Sequence, residues 1–285
     1  MTKRYLIPFF FFLSLVTLPV ILVASEHRDS VYTVRTIVLD AGHGGPIPGA
    51  RGATSLEKDI ALQVVLKLGK AIEQELPGVK VLYTRTTDVN VELYKRIEFA
   101  NESRADLFIS VHLNAAPERR VRRRNSKGKY YYTRVQDKTV RGTETFVSLF
   151  GRLDEQEPSL REKAERENKD ILLEENYEEN YGGFNPNDPA SFIILSLMKN
   201  QFREQSIRLA TLIQEQYVKS GREDRGVQEL SLAVLARASM PAVLTEIGFI
   251  SNPNEETYMK SERGQAEIVK NLVEAIREYK RHMER

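Results

Sequence analysis

The feature that most constrains this chain is an alternation of short apolar runs with helix-periodic segments, because few architectures can bury both. Thr36-Ile-Val-Leu39 is strand-length and apolar, and it runs into the glycine-rich Asp40-Ala-Gly-His-Gly-Gly45, which reads as a buried strand opening into a loop. Glu57 to Leu76 is helical: Ile60, Val64, Leu68, Ile72 and Leu76 recur every four residues, and Pro77-Gly78 ends the pattern. Val79 to Thr84 reads as a strand, Val91 to Ser103 as a helix and Leu107 to His112 as a third strand. Strands separated by helices require crossover connections, so the expected sheet is mostly parallel and covered by helices on both faces.

The middle of the chain breaks this rhythm. Arg119 to Lys129 is strongly basic and reads as a loop, followed by Tyr130-Tyr-Tyr132, and Gly142 to Phe150 reads as a strand. Pro158 to Asn180 is charged and helix-prone. Asp188-Pro189 supplies an N-cap and a first-turn proline for a helix running to Lys219, with Leu195, Met198, Phe202, Leu209 and Ile213 on one side. Strands are expected again at Leu232–Leu235 and Ala242–Ile247, before a final amphipathic helix carrying Val269, Leu272, Ile276 and Tyr279. The expected fold is a single α/β domain over residues 34–285. It has a mostly parallel, mixed sheet of about six strands flanked by helices, with a helical insertion at about residues 117–188.

Composition narrows the chemistry. A net charge of +2 points to no nucleic-acid partner. The absence of cysteine excludes a thiol nucleophile, disulfides and thiolate metal sites. A metal would therefore be held by carboxylates and some of the four histidines, His27, His43, His112 and His282. At the N-terminus, Lys3 and Arg4 precede an apolar run from Tyr5 to Val23, and Val23-Ala-Ser25 offers small residues for cleavage. Residues 1–25 thus read as a secretory signal, or as a membrane anchor if uncleaved, and residues 26–33 as a short linker. Either reading exports the rest to the periplasm or cell envelope, with membrane contact only through that segment.

Three ionisable side chains sit where strands end: His43 just past the first, His112 closing the third, and Glu246 closing Val243-Leu-Thr-Glu246. Ligands of open α/β sheets bind at the carboxyl ends of strands, so the fold would gather these groups. Glu57 lies three residues before Ile60 and extends the buried stripe of its helix towards the same edge. It also fits a capping box, Thr54-Ser-Leu-Glu57. Glu246 has its own bland reading, an ion pair with Arg225 or Arg237. Two imidazoles and a carboxylate suit a catalytic zinc with an open position, and a further glutamate suits a general base.

With these residues in view, the chain resembles the zinc-dependent N-acetylmuramoyl-L-alanine amidases of bacterial cell walls and cell division. The likeness is carried by Leu39-Asp-Ala-Gly-His-Gly-Gly45, Leu56-Glu-Lys-Asp-Ile-Ala-Leu62, Tyr83-Thr-Arg-Thr-Thr-Asp88, the segment Ala105 to Ala115, and Ser239 to Pro253. The resemblance implies zinc (Zn2+) bound by His43, Glu57 and His112, with Glu246 as the catalytic carboxylate. It also implies hydrolysis of the amide between the muramic-acid lactyl group and L-alanine in peptidoglycan, for wall remodelling or daughter-cell separation; the chain is expected to be a monomer. Another zinc peptidase of wall peptides, or a catalytically silent wall-binding homologue, is the alternative. Asp40, Lys58 and Asn114 could support the site or contact substrate. Division amidases of this kind can carry an inserted helix that covers the zinc until an activator protein removes it. By that likeness residues 155–184, with Glu167, Asp170, Glu174, Glu175, Glu178 and Glu179 and a hinge at Gly182-Gly183, form an autoinhibitory helix or else a passive decoration.

Overall fold

Strand β1 (Thr36–Ala41) is flanked by β2 (Lys80–Tyr83) and β3 (Leu107–Asn114), both parallel to it. β3 pairs in parallel with β8 (Ala242–Phe249), and β6 (Thr143–Ser148) runs antiparallel beside β8 and parallel to the edge strand β7 (Asp224–Leu230). The order β2-β1-β3-β8-β6-β7 is a mixed six-stranded sheet. The computed structural model describes residues 33–148, 158–180 and 202–284, which lie in one compact unit. The expected signal sequence, the expected linker up to Tyr32, the expected hinge at Gly182-Gly183 and the expected helix start at Asp188-Pro189 lie outside these residues.

Period-2 alternation divides the strand side chains between two cores. On one face Ile37, Leu39, Ile109, Val111 and Val243 pack against α1 (Glu57–Glu75), α5 (Arg203–Lys219) and α7 (Glu262–Met283). On the other, Val38, Phe108, Phe146 and Leu244 meet Ile97 and Ala100 of α2 (Leu93–Glu102). That second core also takes in Ala164 of α3 (Pro158–Asn168) and Ile171 of the 3₁₀ turn Lys169–Leu173, which leads to the short α4 (Tyr177–Asn180). The insertion therefore covers the sheet as a structural layer. Burying an aliphatic side chain contributes about 1.5–3 kcal/mol, so its detachment is costly.

Two expectations need correction. The basic segment is no loop: β4 (Glu118–Arg124) and β5 (Tyr130–Gln136) form an antiparallel hairpin. Arginine and tyrosine face each other across it, with Arg122 3.7 Å from the Tyr130 ring centre and Arg120 4.1 Å from that of Tyr132, contacts that offset the repulsion of adjacent cations. Leu232–Leu235 is a buried turn rather than a strand, closed by Leu235 N–H donating to Leu232 O, and the strand lies earlier, at β7. Apolar periodicity alone does not separate a buried strand from a buried turn.

Between β8 and α7 lies α6 (Pro253–Lys260), capped by the Asn252 side chain, which accepts from the amides of Asn254 and Glu255. Its Glu256 reaches back to the loop before α1, accepting from the amides of Ala53 and Thr54 and from the hydroxyls of Thr54 and Ser55. Burial alone would raise this carboxyl, but those four donors bring it to about 2. Its stabilisation is therefore complete above the ordinary value of 4.5 and disappears as pH falls from there towards 2. Glu256→Gln should cost about 1–3 kcal/mol in urea unfolding at neutral pH, and the difference from wild type should shrink steadily below pH 4.5.

Candidate metal centre and active site

The centre is built at the carboxyl ends of β1, β3 and β8. His43 follows β1 with a φ of 57°, a left-handed conformation that costs a non-glycine residue energy and so needs support. Two buried arginines supply it. Arg85 donates to the carbonyls of Ala41 and Gly42, and Arg96 donates to those of Ala41 and His43. Asp40 anchors Arg96 at 2.8 Å and also accepts from Ser110 and Thr84. Burial would push the Asp40 carboxyl up, but Arg96 and the two hydroxyls hold it below the usual value. Asp40 thus braces the His43 loop from behind. Lys58 is likewise structural, donating to Gly45 O and Asp88.

Glu57 opens α1, and its carboxylate is no capping box. Oε2 accepts from Ala50 N–H at 2.6 Å and Oε1 from Leu113 N–H at 2.9 Å, while the helix has no side-chain N-cap. The same two oxygens face imidazoles, with His43 Nε2 at 3.2 Å from Oε2 and His112 Nδ1 at 3.0 Å from Oε1. Both ring nitrogens are buried without a hydrogen-bond partner. One ligand atom from each of His43, Glu57 and His112 can be chosen so that all lie within 4.8 Å of one another. Ligands about 2.0–2.1 Å from a tetrahedral zinc lie about 3.3 Å apart, so the donor set and its spacing suit that ion. Burial would raise the Glu57 carboxyl, but the two histidines draw it well below the usual range.

Register places the remaining groups. His112 on β3 pairs with Glu246 on β8, and Glu246 pairs with Glu144 on β6, so three ionisable residues form a row across adjacent strands. Glu246 is 1% exposed, and burial pushes its carboxyl up to about 7, although Lys163 pulls the other way. Lys163, rather than Arg225 or Arg237, is its ion-pair partner, at 2.7 Å. Asn114 ends the β3 row, donating to Glu144 and accepting from its own neighbour Ala115 N–H and from Arg166.

The insertion stands directly over these groups. Asp170 lies 3.0 Å from His43 Nδ1, and Glu167 Oε2 lies 3.6 Å from His112 Nδ1. Glu174 instead accepts from Leu93 N–H at the start of α2. Asn168 fixes the segment to the buried turn, donating to Ser231 O and accepting from Ala233 N–H. Beside His43 and Glu57 a cleft of about 710 Å³ opens, lined also by Arg120, Arg134 and Gln136 of the hairpin. Sequence reasoning missed Glu144, Lys163 and Arg96. For Glu144 a signal existed, an acidic residue inside the strand Thr143-Glu-Thr-Phe146, whereas Lys163 is one of several charged residues in its helix.

The profile of the N-acetylmuramoyl-L-alanine amidase family matches residues 37–278. The chain belongs to this family. An endolysin of Bacillus phage SPP1 is 30% identical over 244 residues, which is 86% of this chain and 65% of the endolysin, so the chain spans less than two thirds of that relative. An N-acetylmuramoyl-L-alanine amidase structure from Clostridium difficile 630 superposes with a TM-score of 0.58 at 25% identity, over 87% of this chain and 97% of that one. The CwlD amidase of Clostridioides difficile, solved in complex with the GerS lipoprotein, superposes with a TM-score of 0.57 at 23% identity, over 86% and 98%, and has the same fold. The matched span contains the residues that the fold gathers, His43, Glu57, His112 and Glu246.

Close backbone approach is a condition of this centre. A Cβ on Gly49, whose φ is +67°, would lie 2.4 Å from the His43 ring and 2.5 Å from Glu57 Oε2. Gly49→Ala should therefore displace both groups, destabilising the protein by about 1–3 kcal/mol and weakening zinc binding in a competition titration. Unchanged zinc affinity would show that the backbone here does not set the centre.

Proposed function

We propose that this protein hydrolyses the amide bond between the lactyl group of N-acetylmuramic acid and L-alanine in peptidoglycan, using zinc held by His43, Glu57 and His112. The reading rests above all on the two orphaned ring nitrogens that converge on the Glu57 carboxylate beside the buried Glu246, in a chain of the amidase family. A bound zinc ion supplies hydroxide at neutral pH and a positive charge for the developing oxyanion. Glu246 takes the proton of the attacking water and returns it to the departing alanine nitrogen. Glu57 is itself fixed by two backbone amides, which hold its carboxylate beside both imidazoles.

Product chemistry tests this reading. Protein incubated with purified sacculi should release stem peptides whose N-terminal alanine is free, and chelation should stop the release. Cleavage within the peptide would instead indicate a peptidase. Glu246→Gln should keep its zinc and lose on the order of 10²–10⁴ in rate, while His112→Ala should lose the metal. A Glu246→Gln enzyme with unchanged turnover would remove that residue from the chemistry.

The same proposal covers the insertion, which we read as an autoinhibitory lid. Glu167 faces His112 Nδ1, one of the two ring nitrogens that converge on Glu57, and Lys163 engages Glu246, so the segment stands where a substrate amide would approach; Asp170 meets His43 on its other nitrogen, Nδ1, and steadies that ring. An activator protein that draws it away fits the closed arrangement. Export fits as well, through residues 1–25 as a signal or anchor that delivers the domain to the periplasm or cell envelope. No helix among the described residues is long and apolar enough to cross a membrane. Because Ala164 and Ile171 belong to the second core, point variants test the lid better than deletion. Glu167→Ala should raise activity on sacculi several-fold without lowering the melting temperature by more than a few degrees. Equal or lower activity in the folded variant would reduce the insertion to decoration.

A further inference from the structure

One carboxylate in this site has no task in the chemistry described so far. Glu144 lies directly across from Glu246 in the antiparallel β6–β8 pair, and the two are 5% and 1% exposed. Two buried carboxylates side by side repel each other, and the arrangement is tolerated only if a cation lies between them. Here that cation is Lys163, whose Nζ lies 2.7 Å from Glu246 Oε1 and 3.1 Å from Glu144 Oε1. The ammonium sits 4.7 Å from the Phe146 ring centre, and the lysine is itself buried. Asn114 and Gln228 donate to Glu144, and the Arg225 guanidinium is 3.7 Å away, so its carboxylate is held in place independently of the lysine.

Lys163 belongs to α3, the inserted helix. Whenever that helix leaves, the paired carboxylates lose their ammonium and need another. Hydrolysis of an amide generates one at this place. The C–N bond breaks, the carbonyl carbon gains the water oxygen, and the nitrogen takes up the proton carried by Glu246 and a further proton from solvent, becoming an ammonium. We propose that Glu144 is the residue that receives this new α-ammonium of the alanine, and that Lys163 occupies the same position in the closed structure as a mimic of the leaving group. The small groove around it, about 230 Å³ and lined by Asn114, Glu144, Lys163, Arg225, Gln228 and Phe249, then takes the peptide side of the cleaved bond. The larger cleft on the His43 side takes the sugar side.

This inference rests on the amidase reading, and the test separates the two. The full chain carrying Lys163→Ala, loaded with zinc, is titrated by calorimetry with a stem peptide bearing a free N-terminal alanine and with its N-acetylated form. The free amine should bind about 10- to 100-fold more tightly, the worth of one charge-assisted hydrogen bond. Adding Glu144→Gln should abolish that preference, and in sacculus digestion it should lower kcat more than it raises KM. Equal binding of the two peptides by Lys163→Ala overturns the proposal without any change at Glu144, so a folding defect in the second variant cannot shelter it. A preference that survives Glu144→Gln overturns it too. If sacculi yield no stem peptide with a free alanine under any condition, the amidase reading fails and this inference with it. If they do and the amine preference is absent, only the inference fails.

Discussion

The Glu57 carboxylate is the constraint on which the rest of the centre depends. Each of its oxygens has a backbone amide on one side and an imidazole nitrogen on the other. The amides belong to the loop before α1 and to the end of β3, so one side chain ties helix, loop and sheet together at the point where the histidines meet. A carboxylate held this way cannot rotate out of the site without leaving two buried N–H groups unsatisfied, a penalty of about 1–3 kcal/mol each. The geometry of the centre is therefore paid for by the fold rather than by a metal.

Behind that carboxylate lies a second line of support, reaching the imidazoles through the backbone. Arg85 and Arg96 are 3% and 1% exposed, and each makes two of its hydrogen bonds to the carbonyls of residues 41–43. Lysine could not reproduce this, because a single ammonium lacks the planar fork that reaches two carbonyls and a carboxylate at once. Asp40 supplies the matching charge, and its ion pair is among the most deeply buried in the described residues. Removing Asp40 alone would leave Arg96 buried and uncompensated, the costly way to break such a pair.

Much of this was legible in the sequence because it follows from strand ends. His43, His112 and Glu246 each close an apolar run, and a parallel sheet carries such positions to one edge whatever its detailed register. Register itself was not legible, and Glu144 was missed for that reason: only the pairing of β6 with β8 sets it beside Glu246. The basic segment misled because arginine is a poor strand signal on its own, and its pairing depends on tyrosines that lie across the turn. At Leu232–Leu235 the apolar run was read as a strand, but its burial comes from supporting the insertion, through Asn168. In α3 only Leu160 and Ala164 are apolar at helical spacing, and nothing in the sequence says that Lys163, beside them, is drawn inward by two glutamates.

Seen from the sheet, the inward face of the insertion is an electrostatic complement of the site. Its cation, Lys163, meets the two glutamates, while its anions, Glu167 and Asp170, meet the two histidines. Separating this layer from the sheet would leave both sets unpaired together, so its attachment rests on apolar burial and on charge pairing at once. Lys163 lies in α3, whereas Asp170 lies in the 3₁₀ turn that follows, so the cationic and anionic contacts are made by separate side chains of successive elements.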